Sequence, residues 1–135
     1  MKHVVFILSV WIALACSKSD TLTPMDDLVG TWQLTSYCKP VSGSACTAVT
    51  IPSNKSVLVT FGTNGTFTES YENTKPGEYS FLGCGSGKYS IEGNNVRITA
   101  LCMSSLGGKL MPVVSIEATR LVLNPFGTGE YVFVR

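Results

Sequence analysis

Hydrophobic and polar positions alternate along most of this chain with a period of two. In the stretch 28–37, Trp32 and Leu34 fall on one face, and the residues between and after them are polar. This is the pattern of a β-strand with one buried side. Gly30 precedes the tryptophan, and its missing side chain allows another segment of backbone to approach closely. We therefore interpret 28–37 as the first strand of the fold, with Trp32 as its structural anchor.

Short runs of the same kind continue to the C-terminus, separated by turn residues. They are centred on 57–61, 67–71, 79–81, 89–91, 96–100, 114–116, 121–123 and 131–133. No comparable stretch of the mature chain shows sustained helical periodicity. The pattern predicts an all-β fold, a small antiparallel meander of about eight strands. Such a meander is expected to close into a barrel, because closure removes the strand edges that invite aggregation.

The N-terminus has the pattern of an export signal. A positively charged start is followed by an almost wholly apolar run at 4–14, which is too short to cross a bilayer. The run leads into Ala15-Cys16, which resembles the lipobox of bacterial lipoproteins. The resemblance implies cleavage after Ala15 and a thioether-linked lipid on Cys16. The alternative is an ordinary secretory peptide, in which the cysteine is incidental.

The lipobox resemblance divides the chain into three parts. Residues 1–15 are the signal peptide, 16–27 form a lipid-anchored flexible tether, and 28–135 form the barrel domain. The tether is mostly polar, contains Pro24 and has no periodicity. The lipid on Cys16 would hold the protein on a membrane of the bacterial cell envelope. We expect the outer membrane, with the domain on its periplasmic or surface face.

Charge and histidine content argue against several classes of function. Loss of Lys2 with the signal peptide leaves nine basic residues to balance nine acidic ones, so we expect no nucleic-acid partner. The only histidine, His3, lies in the same segment. The mature domain therefore lacks a Ser-His-Asp or Cys-His nucleophile system and a histidine-ligated metal site. We expect no enzyme activity, no metal and no cofactor.

Four cysteines remain in the predicted barrel domain, an even number that fits disulfides in an oxidising compartment. Of the three possible connectivities, we favour Cys38–Cys46, which clips the loop after the first strand, together with Cys84–Cys102. The second pair would bridge the open end of the hairpin that turns at Asn94. The alternative, a four-thiolate metal site, is disfavoured because the spacing contains no C-x-x-C pair.

The first strand also carries a family resemblance. Gly30-Thr31-Trp32 resembles the G-x-W motif of lipocalins and of the lipocalin-like domains of bacterial lipoproteins. Further stretches are similar to strands of that group: 60–68, 87–99, 120–123 and 130–135. The resemblance implies a lipocalin-like barrel in which an arginine packs over the motif tryptophan. Arg120 and Arg135 are the two candidates, and we count Arg120 with Gly30 and Trp32 as the barrel motif.

A second family resembles the central part of the chain. Gly83-Cys84, Gly87-x-Tyr89 and Cys102 are similar to the central segment of META domains, which are also small exported β-domains. Gly85 replaces the asparagine that is usual after the first cysteine. We therefore rank this resemblance second.

Glu69 is the least easily explained polar residue. It lies in register with Phe67 and Tyr71, so alternation directs it inward, where a carboxylate would orient a ligand in the barrel mouth. A rim position, or a bulge that turns it to the other face, is the favoured alternative. Together with Tyr89, these residues are the predicted ligand contacts. In so small a domain most aromatic side chains are nevertheless expected to fill the core.

Two functional hypotheses follow. The lipocalin resemblance implies a non-enzymatic binding module that holds a small apolar ligand inside its barrel. The alternative is a structural or interaction lipoprotein whose core is filled and whose surface binds an envelope protein. Short strands favour the filled core, whereas the many aromatic residues leave room for a pocket.

Overall fold

The computed structural model describes residues 26–42 and 45–135, and these form an all-β fold as predicted. The predicted signal peptide, Cys16 and the tether up to residue 25 lie outside the described residues. Within the described part of the chain, no helix has the length and apolar character needed to cross a membrane.

Within the described residues, nine strands follow a short 3-10 helix at Asp26–Leu28. The strands are β1 Gly30–Pro40, β2 Cys46–Thr50, β3 Ser56–Phe61, β4 Thr66–Glu72, β5 Ser86–Glu92, β6 Asn95–Ala100, β7 Lys109–Ile116, β8 Arg120–Leu123 and β9 Tyr131–Val134. β1 and β3 to β9 form a closed antiparallel barrel, because β1 pairs with both β3 and β9. The predicted meander and its closure are confirmed. β2 is an additional strand on the edge of β1.

β1 closes the barrel by changing partners along its length. Its first residues pair with β3 and its last residues pair with β2, while β9 lies along its other edge. The register with β9 shifts between Leu34 and Ser36. As a result Leu34 and Tyr37 are both buried, although strict alternation would place them on opposite faces.

The connections differ between the two ends of the barrel. Short turns join the strands at one end, which we call the closed end, at 62–65, 93–94 and 117–119. Longer connections join them at the opposite end, the mouth, at 73–85, 101–108 and 124–130. We refer to 73–85 as the β4–β5 loop and to 101–108 as the β6–β7 loop. The 3-10 helix enters β1 at the closed end, and β2 extends β1 at the mouth.

Two elements differ from the sequence prediction. The run 79–81 is part of the β4–β5 loop and not a strand. The N–H group of Tyr79 donates to the carbonyl oxygen of Lys75, and the N–H group of Phe81 donates to the side chain of Glu69, as do the next two N–H groups along the chain. In addition, β2 was not predicted. Its residues are exposed or half-buried, so they carry no alternating pattern from which a strand is inferred.

Candidate ligand-binding site

The interior of the barrel is filled by side chains. All of the following are at most 4% exposed: Trp32, Leu34, Val57, Val59, Phe61, Phe67, Glu69, Phe81, Val96, Ile98, Met111, Leu121, Leu123, Tyr131 and Phe133. A cavity wide enough for water would leave the atoms that line it accessible. No ligand-sized space therefore lies between these side chains, and the expectation that most aromatic residues fill the core is confirmed.

Trp32 anchors the closed end of the barrel. Its indole N–H donates a 2.8 Å hydrogen bond to the carbonyl oxygen of Leu28, so the buried ring has its one polar group satisfied. The guanidinium carbon of Arg135 lies 4.2 Å from the ring centroid, which is close enough for a cation–π interaction. The same guanidinium donates to the carbonyl oxygens of Ala118 and Val29. The arginine thus ties the C-terminus and the β7–β8 turn to the start of β1.

The arginine that packs on the tryptophan is Arg135, so the assignment of Arg120 from the sequence is wrong. Arg120 is exposed at the start of β8, where its backbone pairs with Val134. Arg120 begins β8 and Arg135 directly follows the neighbouring strand β9, so the pairing register of the two strands decides which arginine reaches the indole. Gly30 has a φ of 133°, and a Cβ placed there would lie 3.0 Å from the Arg135 guanidinium. A glycine therefore suits this position.

Glu69 is buried near the mouth, and its carboxylate accepts four hydrogen bonds from neighbouring residues. The main-chain N–H groups of Phe81, Leu82 and Gly83 donate at 2.7, 3.0 and 3.1 Å, and the Tyr71 hydroxyl donates at 2.6 Å. A carboxylate has about four acceptor positions, so none is left for a ligand. The inward direction given by alternation is correct, and the favoured alternative, a rim position or a bulge that turns the side chain to the other face, is wrong.

This hydrogen-bonded group, which we call the Glu69 clamp, holds Phe81 in the barrel. The ring of Phe81 meets the rings of Phe67, Tyr131 and Phe133 at centroid distances of 6.3, 5.8 and 5.2 Å, all in edge-to-face geometry. The β4–β5 loop therefore closes the mouth, with Phe81 as a plug inside it.

The structure brings three of the four predicted ligand contacts together. Phe67 and Tyr71 adjoin the plug and the clamp, and burial, followed by the hydrogen bond to Glu69, raises the pKa of Tyr71. Tyr89 lies towards the closed end instead, where its hydroxyl donates to the carbonyl oxygen of Gly62 at 2.7 Å. In this arrangement the four residues support the core of the barrel and do not line an open interior pocket. Phe67 also borders a groove on the outside of the barrel, which is described below.

Both predicted disulfides are present. Cys38–Cys46 joins β1 to β2, and Cys84–Cys102 joins the β4–β5 loop to the start of the β6–β7 loop, with Cα atoms 5.4 and 5.6 Å apart. On a loop-entropy model each bond contributes roughly 2.5–3.5 kcal/mol. Among the described residues there is no cluster of His, Cys, Asp and Glu side chains that could hold a metal ion. The second disulfide ties the plug to the loop that borders the groove described next.

An open groove of about 580 Å³ lies beside the β6–β7 loop, along the outer face of β4, β5 and β6. We call it the outer groove. Leu101 and Leu106 border it and are 105% and 99% exposed, and Met103 lies between them in sequence. Gly108 has a φ of 69°, and a Cβ there would lie 2.4 Å from the carbonyl oxygen of Ile98. This glycine therefore allows the loop to return tightly against β6.

Sequence reasoning missed the outer groove. Leu101 and Leu106 belong to no alternating run, so the pattern that located the core gave them no role. The available signal was the pair of leucines in a turn-rich connection, where polar residues are the usual choice. A second hollow, of about 360 Å³, lies at the mouth between Leu82, Met103 and Phe126.

Together, the closed barrel and the open groove define a small β-barrel domain whose accessible apolar surface lies outside the barrel. A sequence model of the lipocalin-like domain family matches residues 28–123. The chain therefore belongs to the lipocalin-like family, the first of the two resemblances drawn from the sequence. A search of the curated proteins finds no match.

Two solved structures have a similar chain path. A lipocalin-like protein from Bacteroides uniformis ATCC 8492 is 17% identical, with 81% of this chain and 98% of that chain covered and a TM-score of 0.47. An uncharacterized protein from Bacteroides eggerthii DSM 20697 is 18% identical, with 80% and 98% covered and a TM-score of 0.44. The family assignment rests on the sequence match alone.

Proposed function

We propose that this protein is a lipid-anchored, non-enzymatic binding protein of the bacterial cell envelope, which holds a small apolar ligand in the outer groove. The observation that carries the proposal is a contrast in accessibility. The barrel interior is closed to solvent, whereas Leu101 and Leu106 in the groove are fully exposed. Covering one such leucine with a ligand gains about 1.5–3 kcal/mol, so the groove has a driving force for binding that the filled interior lacks.

The size and lining of the outer groove suit a small molecule. Its volume of about 580 Å³ falls within the range of roughly 300–1,000 Å³ that is common for ligand sites. The side chains of Leu101, Met103 and Leu106 provide apolar contact, and threonine and serine hydroxyls on the strands provide polar contact. Adjacent exposed apolar side chains usually mark a binding surface.

A non-enzymatic role is supported by the state of Glu69. It is the buried charged residue of the described chain, which makes it the first place to look for a general acid or base. Its carboxylate instead binds three main-chain N–H groups and the Tyr71 hydroxyl. A carboxylate with every acceptor position in use has a structural role and no free position for a substrate proton.

The membrane anchor is proposed from Cys16 and from the direction of the chain. The described chain begins at Asp26, at the closed end of the barrel, so the tether joins the domain there. The β6–β7 loop, with Leu101 and Leu106, lies at the opposite end. Replacing the lipidated residue, Cys16→Ala, should move the protein out of the membrane fraction or leave an uncleaved precursor. Normal processing together with unchanged membrane fractionation would contradict lipidation.

The groove is tested with a neutral apolar dye. Purified mature protein is titrated with Nile red, and the wild type is compared with the double variant Leu101→Ser/Leu106→Ser. We expect the double variant to bind about tenfold more weakly or worse, because about 1.4 kcal/mol of lost contact corresponds to a factor of ten and two leucines are removed.

A matched control removes exposed apolar residues elsewhere. Ile91 and Val114 are 44% and 50% exposed on β5 and β7 and do not line the outer groove. The variant Ile91→Ser/Val114→Ser should bind Nile red like the wild type. If both double variants bind as well as the wild type, or lose binding equally, the dye is not held by the outer groove and the proposed site is wrong.

A protein partner is the second candidate function. The filled interior favours it, because a barrel without a cavity has only its surface for recognition. Native mass spectrometry of protein purified from its own envelope separates the two functions. A bound small molecule supports the ligand carrier. An empty domain that cross-links through the β6–β7 loop to one envelope protein supports the partner.

A further inference from the structure

We infer that the ligand of the outer groove is an anionic amphiphile, a single aliphatic chain with a negatively charged head group that binds at Lys88. The inference rests on the proposed function, since it names the class of ligand for the same groove. It depends on how charge, hydroxyl groups and apolar side chains are ordered along the strands.

The charge of the groove comes from one residue. Among the described residues that line it, Lys88 is the only charged one and none is acidic. The ion pairs found in the described part of the chain are Lys55–Glu78 and Arg97–Glu92, and neither includes Lys88. An exposed ammonium group without a carboxylate partner is available to an anionic ligand.

Two hydroxyl side chains flank this ammonium group. In the pairing of the sheet, Thr66 on β4 lies opposite Lys88 on β5, and Lys88 lies opposite Thr99 on β6. Side chains that are directly opposite on one face have Cβ atoms about 4.5–5.5 Å apart. All three residues line the groove. The Thr66 hydroxyl donates to the side-chain oxygen of Asn64 at 2.7 Å, so the row offers the Lys88 ammonium group and the Thr99 hydroxyl as donors. This combination suits the oxygen atoms of a carboxylate or phosphate head group.

The apolar part of the groove begins one step further along the strands. Leu101 directly follows Ala100, the last residue of β6, and lines the groove at the start of the β6–β7 loop. Met103 and Leu106 continue the apolar lining in the β6–β7 loop. The groove is therefore polar and positive at the Lys88 row and apolar towards the mouth. A ligand with a charged head and a hydrocarbon tail matches both parts in one orientation.

The experiment compares two probes of equal chain length, decanoate and decanol, as competitors of Nile red at low ionic strength. For the wild type we expect decanoate to compete about fivefold better than decanol, the upper range for one exposed ion pair. The preference should fall as salt is added, because exposed charges are screened. In Lys88→Gln the two competitors should become equal, and in Lys88→Arg the preference should remain.

The control variant is Lys75→Gln, which removes an exposed positive charge from the β4–β5 loop and should keep the preference for decanoate. The inference is overturned if decanoate and decanol compete equally for the wild type, or if the preference survives in Lys88→Gln. Either result leaves the proposed function intact, provided that Leu101→Ser/Leu106→Ser still loses Nile red. If that double variant binds Nile red like the wild type, the outer groove is not the binding site and both proposals are wrong.

Discussion

The two ends of the barrel are closed by different means. At the closed end, Trp32 and Arg135 hold the first and last parts of the chain together through one buried ring and a few hydrogen bonds to carbonyl oxygens. At the mouth, a buried carboxylate, an aromatic plug and the Cys84–Cys102 disulfide hold connections that do not pair as strands, and the Cys38–Cys46 disulfide joins the paired strands β1 and β2.

The difference reflects the length of the connections. Short turns keep neighbouring strands in register, so the closed end needs only an apolar anchor and a cation over it. A long loop loses more conformational entropy and leaves more main-chain groups without partners. Glu69 provides partners for these main-chain groups by accepting hydrogen bonds from three N–H groups of the β4–β5 loop. The Cys84–Cys102 bond lowers the entropy that the loop loses on folding, because it reduces the freedom of the unfolded chain.

The largest effect is expected at the closed end. Trp32→Ala removes the largest fully buried side chain and the stacking partner of Arg135, and should lower the free energy of unfolding by about 3–5 kcal/mol. Urea unfolding followed by far-UV circular dichroism measures this change. Arg120→Ala, which removes the exposed arginine of β8, is the matched control and should stay within about 0.5 kcal/mol. If Trp32→Ala were as stable as the wild type, Trp32 would not be the anchor of the closed end.

A smaller effect is expected at the mouth. Glu69→Gln keeps the side-chain size but replaces an oxygen acceptor with an amide donor that faces main-chain N–H groups, which should cost about 2 kcal/mol. Amide hydrogen exchange should speed up at Phe81, Leu82 and Gly83 more than in the strands. The exposed Glu72, also on β4, gives the control Glu72→Gln, with no change in either measurement. Uniform acceleration across the barrel would show that the clamp does not act on the loop alone.

The smallest effect is a loss of stability at alkaline pH. Burial raises the pKa of Tyr131 at the mouth from 10.0 to about 12, so the folded protein favours the neutral phenol. The resulting stability is complete below pH 10 and is lost as the pH rises from 10 towards 12, by about 1 kcal/mol at pH 11. Burial also raises the pKa of Tyr89, whose hydroxyl group binds at the closed end.

Single variants measure how much Tyr131 and Tyr89 each contribute to the loss of unfolding free energy at alkaline pH. Urea unfolding at pH 9 and pH 11 should show a weaker dependence in Tyr131→Phe than in the wild type. Tyr89→Phe should change the dependence less. Equal slopes for Tyr131→Phe and the wild type would contradict the contribution assigned to Tyr131.

Much of the barrel was predictable because its signal is local. Alternation located most strands and directed Trp32 and Glu69 inward, and the two disulfides followed from the positions of the cysteines between those strands. The same signal failed at 79–81. That run alternates like a strand, but the N–H group of Phe81 at its end binds Glu69 from another part of the chain. It also failed at β2, whose half-buried and exposed residues do not alternate.

The sequence by itself determined that the chain forms a series of short β-strands with Trp32 in the first of them, because the side-chain period of a strand is set by the backbone and is visible in any short window. Only the tertiary structure decided that Arg135 covers that tryptophan, that the Glu69 clamp closes the mouth over Phe81, and that Leu101 and Leu106 border an outer groove next to Lys88. Each of these contacts joins residues from different strands or loops. Their proximity depends on register and closure, which alternation within one strand does not specify.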